Sequence, residues 1–415
     1  MVAIAPLRWL PRALDPFNRK ASPSPLFDPG DFAPALKTRL LILQPTPFCN
    51  IDCDYCYLPD RQSTARMSVD TARLAAARLR EDGLLGETLT VVWHAGEPLA
   101  MPVAYYDEAI AAMAEAIGPE CQVGHSMQTN ATLIDDAWLA LFKRHHIQVG
   151  VSVDGPQALH DAHRKTRQGH GTHARVLRGM SRLRDAGISF HAIAVVTPDT
   201  FNHADAFYDF FVDQGVTEVG CNFDEAEGLH SQSSLSGHEP AHAAFLARLL
   251  RRTTLDSRLR VRELAMALRL IGQPLPKQSW KSRHWPYNAQ ALPFALITVA
   301  HNGDFCTFSP ELLGQSSVEF DNFVLGNVTA SGYLAAAGGQ QFRRLWAAIL
   351  QGTEACARQC AHFNYCGGGA PANKLYENGD LASTETLYCR TMVKRPFDVV
   401  LERLEQRDSA PRGSA

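Results

Sequence analysis

The chain of 415 residues predicts an α/β fold, a parallel sheet covered by helices and curled toward an open barrel. Three observations predict it. Short apolar, β-like runs alternate with helical patterns six times between residues 38 and 228. The connections are short, which suits strand–helix–strand units, and right-handed crossovers curl such a sheet toward a barrel. Each polar motif directly follows a predicted strand, where chemistry gathers in these architectures.

Residues 1–37 are rich in proline and read as an N-terminal arm or linker. Leu40–Leu43 is the first strand and runs directly into a cysteine loop. Ser68 is placed to cap a helix over Val69–Arg80, with Ala72, Leu74, Ala75, Ala76 and Leu79 forming its apolar or small face. Leu89–Trp93 is the second strand and Val103–Ile117 its helix. Val123–Met127 is the third strand, followed by a helix near Asp135–Arg144. Ile147–Val153 is the fourth strand. Ala174–Ala186 is a helix that Gly187 stops. Ser189–Val196, the helix Phe201–Gln214 and the strand Val216–Phe223 complete the six strands.

Residues 229–290 read as a helical, basic bridge, in which Ala-Arg-Leu-Leu-Arg-Arg is a solvated helix face. Residues 291–395 open with a strand, Leu292–Ala300, and hold a second group of cysteines. Residues 396–415 are the end of a helix and a small, polar tail that lacks the composition to stay ordered.

Composition narrows the function. The chain is 46% hydrophobic and 20% charged, an ordinary globular balance. A net charge of −3 gives no reason to expect nucleic acid. No apolar run is long enough to cross a bilayer. Prolines and arginines break the N-terminal apolar run, so it does not read as a signal peptide. A soluble cytoplasmic protein follows, whose 10 cysteines are expected to be reduced and free to hold metal.

Cys49, Cys53 and Cys56 are spaced C-x3-C-x2-C, which brings three thiolates to one side of a tight loop. A 4Fe–4S cubane normally takes four cysteines. Three leave one iron open to chelate a small molecule, and the amine and carboxylate of S-adenosylmethionine (SAM) suit it. Zinc with a fourth ligand elsewhere is the simpler alternative. The spacing, with Tyr57 directly after it, resembles the signature of the radical SAM enzymes. The resemblance implies an open (βα)6 partial TIM barrel. It also implies a cluster that passes one electron to SAM, so that a 5′-deoxyadenosyl radical forms and abstracts a hydrogen atom.

Other motifs extend the resemblance. Trp93-His-Ala-Gly-Glu-Pro98 is similar to the family's Gly-Gly-Glu segment, with Ala95 at the first glycine. By resemblance, the backbone at Ala95 and Gly96 and the Glu97 carboxylate engage the SAM ammonium. Gln128 and Asn130, in Met127-Gln-Thr-Asn-Ala-Thr-Leu133, contact SAM or peptide, or else Asn130 only shapes a turn. Ser152 is placed for the SAM ribose or carboxylate, and Arg164 for the carboxylate. The histidines between 160 and 173 read as structural or at the mouth of the site. Asp224, Glu225 and Glu227 gather after the sixth strand, where a carboxylate can accept a proton; Asp224 is the first choice and Glu225 the second. Cys121 and Cys221 read as small core residues.

Cys356, Cys360, Cys366 and Cys389 form the second group. Alone they would favour zinc. Downstream of such a core they resemble the SPASM extension, which carries auxiliary 4Fe–4S clusters. That extension usually has seven cysteines, and three departures are visible here. The first gap is three residues, Gly-Gly-Gly-Ala-Pro stands where another cysteine would follow, and Phe308 stands at an upstream cysteine position. The four cysteines match an outer cluster and the inner set is largely absent. The expectation is two 4Fe–4S clusters, one on SAM and one auxiliary, with Cys306 a free thiol.

The runs Cys366-Gly-Gly-Gly-Ala-Pro-Ala-Asn-Lys374, Phe308–Gly314 and Ser383–Cys389 are most similar to maturases of glycine-rich-repeat and cyclophane-forming peptides. The resemblance implies a ribosomally made precursor peptide as substrate, removal of a β-hydrogen and a C–C crosslink to a nearby aromatic ring. It also implies a flavodoxin- or ferredoxin-like electron donor, and neither membrane nor nucleic acid. Peptide epimerisation, with Cys306 as hydrogen donor, and formylglycine formation like that of sulfatase maturases are the rival chemistries. A zinc-binding interaction protein is the rival outside enzymes.

Overall fold

The computed structural model describes residues 27–28, 32, 35–226, 232–273 and 288–409. Most of the predicted arm, Glu227, residues 229–231 and 274–287 of the predicted bridge and the last six residues lie outside them.

Six parallel strands form the barrel: β1 (Leu40–Leu43), β3 (Thr88–Trp93), β4 (Gln122–Thr129), β5 (Gln148–Ser152), β7 (Phe190–Val196) and β8 (Glu218–Phe223). They neighbour one another in chain order. Between them come the helices α1 (Val69–Glu81), α2 (Val103–Ile117), α3 (Asp136–Arg144), α5 (His173–Asp185) and α6 (Ala204–Asp213). Caps explain several starts. The Ser68 hydroxyl accepts from the Thr71 N–H at 3.0 Å and the Asp135 carboxylate from the Trp138 N–H at 3.1 Å, so an otherwise orphaned amide is satisfied in each. Arg78 and Arg80 in the last turn of α1 complement its dipole.

The two faces of each strand differ in use. In β7, Ala192, Ala194 and Val196 are buried without exposure, whereas Ile193 and Val195 line a cavity at the barrel mouth. Period-2 alternation thus assigns alternate residues to packing and to the site.

Three features depart from the sequence reading. The predicted strand Leu292–Ala300 shortens to β10 (Leu296–Val299), because turns at Asn288–Ala291 and Leu292–Ala295 precede it. This strand pairs in parallel with β1, and β11 (Asp304–Thr307) and β12 (Gly326–Asn327) follow antiparallel. At the opposite edge β9 (Arg260–Val261) pairs with β8. The result is one ten-stranded sheet in the order β12-β11-β10-β1-β3-β4-β5-β7-β8-β9. The bridge is therefore part of the sheet: α7 (Glu239–Leu255) leads into β9, and α8 (Arg262–Ile271) leaves it.

A second, two-stranded sheet joins β2 (Ile51–Cys53) to β6 (Arg164–Thr166), antiparallel, with Cys53 opposite Arg164. Helix α4 (Gln157–His163) leads into β6. The cysteine loop is thus partly strand. The C-terminal region adds α9 (Tyr333–Ala337), α10 (Gln340–Gln359), α11 (Phe363–Cys366), α12 (Pro371–Asn378), a π-helical turn over Cys389–Lys394 and α13 (Arg395–Ser409). No helix among the described residues is long and apolar enough to cross a membrane.

Candidate active site

A cavity of about 410 Å³ opens at the C-terminal ends of the barrel strands. Cys49, Cys53, Cys56, Tyr57, Ala95, Gly96, Glu97, Gln128, Asn130, Ser152, Arg164, Asp224 and Glu225 all line it. The sequence reading named these residues from separate motifs, and the fold brings them together.

The β3 loop sits tightly on the cysteine loop. The Glu97 N–H donates to the Phe48 carbonyl at 2.7 Å. A Cβ on Gly96 would lie 2.5 Å from the Phe48 and Thr46 carbonyl oxygens, and its φ of 57° is left-handed, so only glycine fits. Ala95 takes a φ of 69°, a strained value for a residue with a Cβ. The Glu97 carboxylate is buried and accepts from the Leu99 N–H at 3.0 Å, the Thr129 hydroxyl at 2.6 Å and the Asn130 N–H at 2.8 Å. Burial pushes it up to about 7 despite these bonds. A cation beside it would reverse that shift, which suits an ammonium ligand.

Gln128 lies on β4 itself, not on the loop after it, and donates to the Ser152 hydroxyl at 2.8 Å. Asn130 shapes the loop: its oxygen accepts from the Thr132 N–H at 3.0 Å, while its nitrogen donates to Asn50 at 2.9 Å and points at the Cys49 sulfur at 3.9 Å. It therefore works on the cysteine loop.

Arg164 has a partner within the protein. Its Nε and Nη2 donate to both oxygens of buried Asp154 at 2.9 and 3.0 Å. That edge of the guanidinium is taken, and Arg164 also lines the cavity. Burial alone would raise the Asp154 carboxyl, but the guanidinium outweighs it and holds it low. The Tyr55 hydroxyl donates to the same carboxylate at 2.6 Å. Arg164 thereby anchors β6, and through it Cys53, to the end of β5.

Among the carboxylates, Asp224 accepts from the Ser234 N–H at 3.0 Å and holds the local loop. Glu225 reaches across to α12. Burial pushes it up to about 8, opposed by a 2.6 Å hydrogen bond donated by Asn373 of α12. Glu311, Asn373, Tyr388 and Met392 also line the cavity, so the C-terminal region forms part of its wall. The sequence reading quoted the runs that hold Glu311, Asn373 and Tyr388 without giving those residues a role. Tyr55, Asp154 and Arg262 went unassigned as well, and no sequence signal marked the Asp154–Arg164 pair.

His160 is wholly buried, with Nε2 2.9 Å from the Thr172 hydroxyl, and His163 pairs with Asp54 at 3.0 Å. Cys121 and Cys221 are buried in the core. Cys306 is fully buried, its sulfur 3.8 Å from the Ser309 carbonyl, and it does not line the cavity.

The second cysteine group also converges. Cys356, Cys360, Cys366 and Cys389 line a separate cavity of about 140 Å³. Gly367, Gly368 and Gly369 all take positive φ, and a Cβ on Gly368 would lie 2.5 Å from Thr353 Cγ2, so the run can turn Cys366 into place only as glycine. Four thiols around one small cavity are a donor set that suits a zinc ion or an iron–sulfur cluster. Phe308 is fully buried and stacks on Trp346 at 6.1 Å and Phe342 at 6.2 Å, so an aromatic core fills the place of the missing upstream cysteine.

A parallel barrel with three cysteines at its mouth defines a class, and comparison with known proteins agrees. Residues 43–211 match the Radical SAM superfamily. An uncharacterized protein of Synechocystis is 37% identical over 377 residues, 89% of this chain and 92% of that protein. The chain belongs to the radical SAM superfamily and is an enzyme. A serine-type anaerobic sulfatase-maturating enzyme of Klebsiella aerogenes is 35% identical over 172 residues, but the match spans only 41% of this chain and 42% of that enzyme. Among solved structures, anSMEcpe with bound AdoMet superposes with a TM-score of 0.70 at 21% identity, over 89% of this chain and 98% of that one. SuiB of Streptococcus suis, bound to its precursor peptide SuiA, gives 0.60 at 16% identity, over 86% and 76%. At these identities the likeness is one of fold.

Proposed function

We propose that this enzyme modifies a ribosomally made precursor peptide, joining the β-carbon of one residue to a nearby aromatic ring. The observation that carries the reading is the shared cavity. The cysteine loop, the strand-end polar groups and the half-buried Glu225 face one space that the C-terminal region helps to enclose.

Cys49, Cys53 and Cys56 would hold the SAM-binding 4Fe–4S cluster, and Cys356, Cys360, Cys366 and Cys389 an auxiliary one. Together with SAM, the first cluster supplies a radical able to take a hydrogen atom from an unactivated carbon. Glu97 would pair with the SAM ammonium, and Gln128 and Ser152 would meet its polar atoms. Ile193 and Val195 offer an apolar face to the adenine. The precursor loses one hydrogen atom, then one proton and one electron as the new bond closes. Glu225 would take the proton, with Asn373 holding the carboxylate in position. A flavodoxin- or ferredoxin-like donor would supply electrons to the SAM cluster.

Epimerisation loses support, because Cys306 is buried outside the cavity. Formylglycine formation keeps a specific observation in its favour, the 35% identity over 172 residues to the serine-type sulfatase-maturating enzyme. Both chemistries remove two hydrogens, so mass alone does not separate them. The test is tandem mass spectrometry of candidate precursors co-expressed with the enzyme, with a hydrazide trap for aldehydes. A loss of two hydrogens, blocked fragmentation between two residues and no hydrazide adduct is expected. A hydrazide adduct with complete fragmentation would establish the formylglycine reading instead.

A further inference from the structure

We propose that Lys374 tunes the auxiliary cluster, its buried ammonium making that cluster easier to reduce by one electron. This rests on the reading of Cys356, Cys360, Cys366 and Cys389 as cluster ligands.

The geometry is specific. Lys374 is 2% exposed, and its Nζ lies 3.5 Å from the Cys356 sulfur. Buried lysines are rare without a compensating anion. Among the described residues no carboxylate forms an ion pair with Lys374. Glu385, the acidic residue lining the cysteine cavity, is engaged by Lys394 and by Arg390. The compensating charge for Lys374 is therefore the thiolate set. Space has been kept for it: a Cβ on Gly369 would stand 3.9 Å from Lys374 Cε and 3.3 Å from the Cys389 sulfur.

Four thiolates around an oxidised cubane carry a net negative charge, and reduction by one electron deepens it. A fixed cation at hydrogen-bond range of a ligand sulfur favours the more negative form, and burial strengthens that preference. Lys394 also lines the cavity, but it is partly exposed and paired with Glu385, so its field is screened.

The placement links this charge to the reaction. Asn373, the residue before Lys374 on α12, donates to Glu225 in the reaction cavity. Successive helical residues point about 100° apart, so one turn of α12 holds the proton acceptor with one residue and the cluster with the next. Closure of the crosslink releases one proton and one electron. On this arrangement the proton goes to Glu225 and the electron to the auxiliary cluster, and the peptide is oxidised as the cluster is reduced.

The test is a redox titration followed by electron paramagnetic resonance on the full-length chain with Cys49, Cys53 and Cys56 changed to Ala, so that only the auxiliary cluster is seen. Lys374→Met is expected to move its midpoint to a more negative potential, and Lys374→Arg, which keeps the charge, to restore most of the shift. An unchanged midpoint in Lys374→Met with four irons bound would overturn the proposal. So would loss of iron in both Lys374→Met and Lys374→Gln with retention in Lys374→Arg, which would make the lysine an assembly residue. If the parent protein holds zinc or no iron at these cysteines, the ligand assignment itself fails, and the proposal with it.

Discussion

At the scale of single residues, Glu225 has the property that proton transfer needs. Burial raises it to about 8, so it is mostly protonated at neutral pH. Accepting the peptide's proton requires the carboxylate. Crosslinking in single-turnover assays should therefore rise with pH through about 8, while SAM cleavage, which does not need Glu225, should lack that limb. Asn373→Ala removes a hydrogen bond that lowers Glu225, so the limb should move to higher pH. Glu225→Gln should lower crosslinking by about 10²–10⁴-fold, the usual contribution of a general base, with SAM cleavage retained. An unchanged crosslinking rate would remove Glu225 from the chemistry.

At the scale of elements, the tight contacts lie where strand ends meet the cysteine loop. Gly96→Ala would drive a Cβ into two backbone carbonyls. The expected result is loss of the SAM cluster with the auxiliary one kept, read as a fall of about four irons per chain. Asp154→Asn leaves the Arg164 guanidinium buried without its countercharge. Breaking such a pair costs about 3–5 kcal/mol, to be measured by denaturant unfolding of the apoprotein. These contacts also mark how far the sequence could be read. Periodicity and caps reveal α1, α2, α3 and the six barrel strands, because each is set by its own residues. The motif residues around Glu97 are legible because their order along the chain reports the strand ends. The Asp154–Arg164 pair and the Asn373–Glu225 bond were not legible, since each joins side chains that only the folded chain brings into contact. β9, two residues long, has no period to detect.

At the scale of the whole molecule, the C-terminal region is continuous with the barrel. β10 pairs with β1, and Glu311, Asn373, Tyr388 and Met392 line the reaction cavity. Tyr388 faces that cavity while its neighbour Cys389 faces the second one. The two cavities thus have neighbouring residues of the chain in their walls. The aromatic core around Phe308 occupies the position of a further ligand, so the count should be two clusters. Anaerobic reconstitution should give about eight irons per chain, and about twelve would mean that ligands for a third cluster exist elsewhere. Changing Cys356, Cys360, Cys366 and Cys389 together to Ala should leave about four irons. That variant should still cleave SAM, because Cys49, Cys53 and Cys56 sit on a separate loop held by β6 and β3. It should not complete the crosslink, because the electron released with the proton has lost its nearest acceptor. Full crosslinking by this variant, seen as the same mass loss in the precursor, would show that the electron returns to the SAM cluster and that the second centre serves the fold alone.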